Sequence, residues 1–165
     1  MEQGHAQHSQ MDRQMMRNHY RMLLLNIVVS TAIMYLLMFV MIWSGHEFFN
    51  NLNILYMALT MAMPMGILML LLMGSMYQNR RLNAVLYALF ALLFVLAFWG
   101  VRAQAAIGDR QFVRSMIPHH AGAILMCNRA PIRDAEIRQL CFGPNGIVQS
   151  QTREIKQMEG ILARI

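Results

Sequence analysis

Met116, His119 and His120 fall within one pentapeptide, Met116-Ile117-Pro118-His119-His120. A thioether beside two imidazoles suits a soft monovalent ion such as Cu(I), whereas Mg²⁺ and Ca²⁺ need oxygen donors that this stretch lacks. On a helix, at about 100° per residue, Met116, His120 and Cys127 share one stripe and His119 with Met126 the adjoining one. Further on, Gln151, Glu154 and Met158 recur at three- and four-residue steps between Ile147 and Ile161. If the two segments pack antiparallel, Glu154 and Met158 face the histidine pair. Burying two imidazoles and a carboxylate without partners is costly, so these groups either hydrogen-bond to one another or share an ion.

The chain has 165 residues, 57% of them hydrophobic, with a mean hydropathy of +0.37. That is too apolar for an ordinary soluble domain. From residue 22 to residue 101 the only charged side chains are Glu47, Arg80 and Arg81, which divide the apolar sequence into runs at 22–43, 52–77 and 82–101. Each is long enough for a membrane-crossing helix, which needs about 20 residues. The first is too long for a signal-peptide core and no small-residue cleavage pattern follows it.

The net charge of +6 raises nucleic acid as a partner, but the basic residues cluster beside the apolar runs. Arg13, Arg17 and Arg21 precede the first and Arg80-Arg81 lie between the second and third, whereas the loop 44–51 has no Lys or Arg. The positive-inside rule then predicts a cytoplasmic N-terminus and, in a bacterial inner membrane, a periplasmic segment after the third span; Arg102, Arg110 and Arg114 weigh against this orientation. Trp43 and Trp99 fit interfacial anchors.

The expected organisation is a polar Met/His-containing tail (1–21), a three-span region (22–107) and a helical hairpin (108–165). In the hairpin, Asp109 is read as the N-cap of a helix running to about Arg129, and Asp134 as the cap of the return arm. Gly143-Pro144-Asn145-Gly146 should interrupt that arm.

The 18 methionines invite a metal reading elsewhere too. Met57, Met61, Met65, Met69 and Met73 step by four, and Met34, Met38 and Met41 form a shorter run. Methionine packs irregular helix contacts without any metal, so packing is the default and a soft-metal path the alternative. Pro64-Met65-Gly66 interrupts the second run and allows a kink or a close helix approach. His8, Met11, Met15, His19 and Met22 lie on one helical face, either binding metal or lying on a membrane surface. His46-Glu47 is a weaker candidate. Cys127 and Cys141 form a disulfide, natural in an oxidising compartment, or else ligate Cu(I); the absence of Met or His around Cys141 favours the disulfide.

The segments 112–126 and 150–158, Phe-Val-Arg-Ser-Met-Ile-Pro-His-His-Ala-Gly-Ala-Ile-Leu-Met and Ser-Gln-Thr-Arg-Glu-Ile-Lys-Gln-Met, resemble the bacterial domain-of-unknown-function 305 family, a helical, ferritin-like group. The three apolar runs and the turn 77–83 look like its membrane-attached subgroup. The resemblance implies Cu(I) or Ag(I) binding linked to metal tolerance, with Met116, His119, His120, Met126, Glu154 and Met158 as ligands. Many soluble relatives carry two hairpins forming a four-helix unit, so this chain, with one, is expected to form a homo-oligomer.

The expected fold is all-α: three transmembrane helices followed by a ferritin-like half-bundle. The expected function is a membrane-anchored copper-binding protein for sequestration or hand-over. The alternatives are a Cu(I)-conducting channel lined by the methionines of the second span and a membrane scaffold without metal. No P-loop or nucleophile triad points to an enzyme, and a di-iron centre would need Glu-x-x-His spacing and more glutamates.

Overall fold

The computed structural model describes the backbone of residues 2–165 and the side chains from Gln14 onward. His8 and Met11 of the tail lie outside the described side chains. The described chain is helical throughout, without a strand: α1 (Glu2–Leu37), α2 (Leu52–Leu72), α3 (Arg80–Ala103), α4 (Asp109–Arg129), α5 (Ala135–Phe142) and α6 (Ile147–Leu162). Two short 3₁₀ turns, Met38–Met41 and Gly45–Glu47, follow α1. The tail and the first apolar run form one helix, since no Gly or Pro stops it between residues 5 and 37.

Residues Met1–Tyr35 and Tyr56–Arg102 form one compact unit. Its core joins Tyr20, Leu23 and Ile27 of α1 to Ala62, Met63 and Leu70 of α2 and to Leu86 and Phe90 of α3. Three helical stretches, Gln14–Met41, Leu52–Leu72 and Arg80–Ala103, are long and apolar enough to cross a membrane. At 28, 21 and 24 residues they extend about 42, 32 and 36 Å at 1.5 Å per residue. Only 17 to 28% of their most apolar windows is buried, so most of the apolar surface points outward. Thr31 and Thr60 return their hydroxyls to the carbonyls of Ile27 and Tyr56, which satisfies the hydroxyl groups within their own helices.

Gly66 is where the three helices meet. A Cβ built there would lie 2.9 Å from the Phe90 ring and 3.1 Å from Ile27 Cδ1, so a small residue is required for this contact. Of the two options allowed by Pro64-Met65-Gly66, close approach is therefore the one visible. The turn before α3 is held by polar side chains. Tyr20 Oη donates to Asn83 Oδ1 (2.6 Å), Asn83 Nδ2 to the Tyr77 carbonyl (2.7 Å), and Leu82 N to Asn79 Oδ1 (3.0 Å).

The second unit comprises Leu36–Leu55 and Ala103–Ile165. Val113, Ile117, Ala121 and Ile124 of α4 pack on Ile155 of α6, with Val148, Met158, Ile161 and Leu162 around them. Ile42 and Phe49, from the segment between α1 and α2, cover the same core. The hairpin's compact unit thus extends beyond residues 108–165. α4 has Gly108 as its N-cap, with Asp109 in the first turn, where its charge favours the positive end of the helix dipole. Asp134 caps α5, accepting from Ile137 N at 3.0 Å, and Gly143–Gly146 separates α5 from α6.

Pro118 sits inside α4. Lacking an N–H, it leaves the Arg114 carbonyl without its helical donor. Asn51 Nδ2 approaches that carbonyl at 3.5 Å, while Asn51 Oδ1 accepts from Ile54 N in the first turn of α2. Arg129, at the far end of α4, lies over the Trp43 ring, 5.8 Å from its centroid. Cys127 and Cys141 form a disulfide with Cα atoms 5.6 Å apart, tying α4 to α5.

Gly66→Ala should destabilise the protein by about 1–3 kcal/mol, the range for overpacking a filled contact. Gly74→Ala, where the nearest atom is 3.7 Å away, should leave the thermal midpoint in detergent close to wild type. Replacing both Cys127 and Cys141 with Ser should lower stability by about 3 kcal/mol, the chain-entropy value for a loop of this size, measured by denaturant unfolding. Reductant should shift the wild type equally and leave the double variant unmoved.

Candidate metal centre

α4 divides its circumference among three neighbourhoods. Val113, Ile117, His120, Ile124 and Cys127 follow alternating steps of four and three along the side packed towards α6. Pro118 and Gly122 are buried on a second side, where the Met41 carbonyl lies 3.6 Å from the Cβ position of Gly122. Phe112, His119 and Met126 are exposed on the third. Met116 lies between the first and third sides and is half-buried.

His120 is the most fully constrained of the candidate ligands. Its Nδ1 donates to the Met116 carbonyl at 2.8 Å, one turn back, and its Nε2 lies 2.8 Å from Glu154 Oε2 on α6. A backbone carbonyl only accepts and so does an ionised carboxylate. With both ring nitrogens facing acceptors, His120 and Glu154 hold one proton between Nε2 and Oε2. Fixing Nδ1 on a carbonyl sets the ring's orientation and directs Nε2 outward, as for imidazoles that ligate through Nε2. Gln151 Nε2 reaches Glu154 Oε2 at 3.4 Å, from the preceding turn of α6.

The structure thus joins His120 to Glu154, sets Met116 one turn from His120 on the same helix, and packs Met158 on the cluster of Val113 and Ile117. His119 adjoins this group in sequence but is exposed. Met126 is set apart: it is 58% exposed, and six residues from His120 amount to about 9 Å along a helix axis. Among the described residues no three His, Cys, Asp or Glu side chains converge as a ready-made metal cage. The local donors are two imidazoles and two thioethers, with Glu154 the one carboxylate. Such a set fits a soft ion of low coordination number rather than one needing six oxygens. Cys127 and Cys141, oxidised, are not thiolate donors.

His46 makes contacts that its isolated position in the loop did not announce. Its Nδ1 lies 2.8 Å from Ser44 Oγ and its Nε2 3.7 Å from Glu159 Oε1 on α6. Glu47, only 3% exposed, accepts from Ser44 N at 2.7 Å and closes the turn. Both His46–Glu159 and Asn51–Arg114 join residues far apart in the chain, and neither pair forms a local motif. Met65 and Met69 of α2 pack against the three-helix core, while Met57 and Met61 of α2 and Met73 just after it are exposed. An open groove lined by Phe142, Pro144, Val148, Arg153 and Lys156 contains none of the candidate ligands.

A family model described as Domain of unknown function (DUF305) matches residues 101–164, which span the end of α3 and all of α4, α5 and α6. An uncharacterized protein of Acanthamoeba polyphaga mimivirus is 34% identical over 116 residues, covering 68% of this chain and 71% of the viral protein. That similarity is longer than the segment matched by the family model. No solved structure matches the chain. With the hairpin matched by the family model and a relative aligned over most of both lengths, the chain belongs to the DUF305 family.

Proposed function

We propose that this protein is a membrane-anchored binder of Cu(I) or Ag(I), holding the ion on its C-terminal hairpin for sequestration or hand-over in metal tolerance. The observation that carries this reading is His120. Its ring is pinned through Nδ1 to a carbonyl and turned through Nε2 to the partner helix, beside Met116, His119 and Met158. Met116, His119, His120 and Met158 are the proposed ligands. Glu154 is the proposed partner that shares the proton on His120 Nε2 until the ion arrives; that proton then leaves to solvent, and the ionised carboxylate balances the bound cation. Met126 is a proposed entry ligand on the open face of α4, where a second copy would complete a four-helix unit.

Three outward-apolar helices support the anchoring, and the positive-inside pattern supports a cytoplasmic N-terminus with a periplasmic hairpin in a bacterial inner membrane. The Cys127–Cys141 disulfide agrees with an oxidising compartment. Conduction through α2 is the lesser reading. Met65 and Met69 pack on the core rather than stand free, and an ion beside lipid would carry the cost of an unsolvated charge.

His119→Ala with His120→Ala should lower Cu(I) affinity at least tenfold in competition with a Cu(I) chelator while leaving membrane insertion intact. Wild-type affinity and stoichiometry in that variant would remove the hairpin site. Metal uptake should also release a proton in weakly buffered solution, and Glu154→Gln should reduce that release.

Replacing Met61, Met65 and Met69 together with Leu should cost less than about 1.5 kcal/mol for each substitution and leave copper tolerance unchanged. Met116→Leu with Met158→Leu should impair binding. Cu(I) uptake into vesicles that is abolished by the α2 substitutions and spared by the hairpin substitutions would instead establish a channel.

A further inference from the structure

In the three-helix unit His19 shares its helix with three nearby methionines and makes a hydrogen bond to the backbone of a fourth. His19 Nδ1 lies 3.3 Å from the Met76 carbonyl oxygen, in the turn after α2. Since that oxygen only accepts, Nδ1 carries the hydrogen and the neutral ring keeps its lone pair on Nε2. The same division of roles orients imidazoles for metal binding: one nitrogen on a carbonyl, the other free to ligate.

The neighbours of His19 are thioethers. On α1, Met15, Met16 and Met22 stand four residues before, three before and three after it, and helical neighbours at these spacings have Cβ atoms about 5–6 Å apart. Met16 and Met76 are partly buried against the core cluster of Tyr20, Leu23 and Tyr77. Met15 and Met22 are 54% and 63% exposed, free to swing towards the ring. From Gln14 to the end of α1, and throughout α2 and α3, there is no Asp or Glu, so these stretches offer no hard anionic donor; Asp12 precedes them on α1. Arg17, Arg21, Arg80 and Arg81 are exposed on the same helix as His19 and at the start of α3. Their repulsion acts twice as strongly on a divalent as on a monovalent cation.

We propose that His19 Nε2, with thioethers drawn from Met15, Met16, Met22 and Met76, forms a second site for a soft monovalent cation, Cu(I) or Ag(I), separate from the hairpin. It depends on none of the residues assigned to the hairpin centre. The hydrogen bond that fixes Nδ1 on the Met76 carbonyl, leaving Nε2 as the ligating nitrogen, distinguishes this methionine group from those that only fill gaps between helices.

The test uses Ag(I), in chloride-free buffer, on the full chain in detergent. The starting background carries Met116→Leu, His119→Ala, His120→Ala and Met158→Leu, which remove the hairpin donors. Equilibrium dialysis with metal analysis should find about one Ag(I) per chain on that background. His19→Gln, whose amide can still donate to the Met76 carbonyl, should lose that ion. So should the fourfold Leu variant of Met15, Met16, Met22 and Met76, with gel-filtration profile and helicity unchanged. Methyl resonances of Met16 or Met76 should shift on adding Ag(I) to the background and not to the His19→Gln variant. Equal Ag(I) binding by the background and the His19→Gln variant, or none by the background, overturns the second site. The hairpin reading is scored separately, by comparing wild-type hairpin and hairpin-deficient chains that both carry His19→Gln.

Discussion

One helix has to serve three surroundings, and the second unit is arranged around that constraint. α4 gives one side to α6, one to the segment after α1 and leaves one open. With 3.6 residues per turn, a 21-residue helix has enough positions to do this if each side keeps its own residue type. Val113, Ile117 and Ile124 supply bulk towards α6; Pro118 and Gly122 make room for the Met41 backbone; Phe112, His119 and Met126 face outward. His120 lies on the packed side, where an imidazole needs two hydrogen-bond partners, and it has them in Met116 and Glu154. The need to satisfy a part-buried ring is what aligns α6 with α4 at this level.

Much of this was legible before any coordinates. Local signals marked the ends of elements: Asp134 as a cap, Gly143–Gly146 as a break, three apolar runs of sufficient length. The three- and four-residue steps in two separated segments set Glu154 and Met158 opposite the histidine pair, without telling which imidazole Glu154 would meet; it meets His120. Met126 shows the limit of the same reasoning. A helical projection records angle and discards the axis, so Met126 and His119 look adjacent although seven residues separate them, about 10 Å of rise. The Asn51–Arg114 and His46–Glu159 contacts were beyond reach because a loop side chain has no periodicity to betray its partner. Asp109 was displaced by one position because an acidic residue serves equally well at the cap and in the first turn.

The three-helix unit follows another logic. Its helices meet through small residues and aromatic rings, as at Gly66, Phe90 and Ile27, while large apolar side chains such as Leu72, Val85 and Trp99 point away. In the membrane setting proposed for them, close packing and hydrogen bonding rather than exclusion of water would hold such helices. The Tyr20–Asn83–Tyr77 links provide the latter at one end. Methionine is useful in this setting because its unbranched chain conforms to gaps, which is why the abundance of sulfur did not by itself identify where a metal would bind.

The cover supplied by residues 36–55 has a consequence for how the hairpin can be handled. Ile42 and Phe49 close its core, Asn51 reaches the carbonyl that Pro118 leaves open, and Trp43 carries Arg129. The segment providing all four lies more than fifty residues upstream, joined to the hairpin through α2 and α3. A fragment excised at residue 108 would therefore carry the family motif intact and still lack one wall. Its uncovered apolar patch would invite aggregation, and any metal affinity measured on it would belong to a different object from the hairpin in the whole chain.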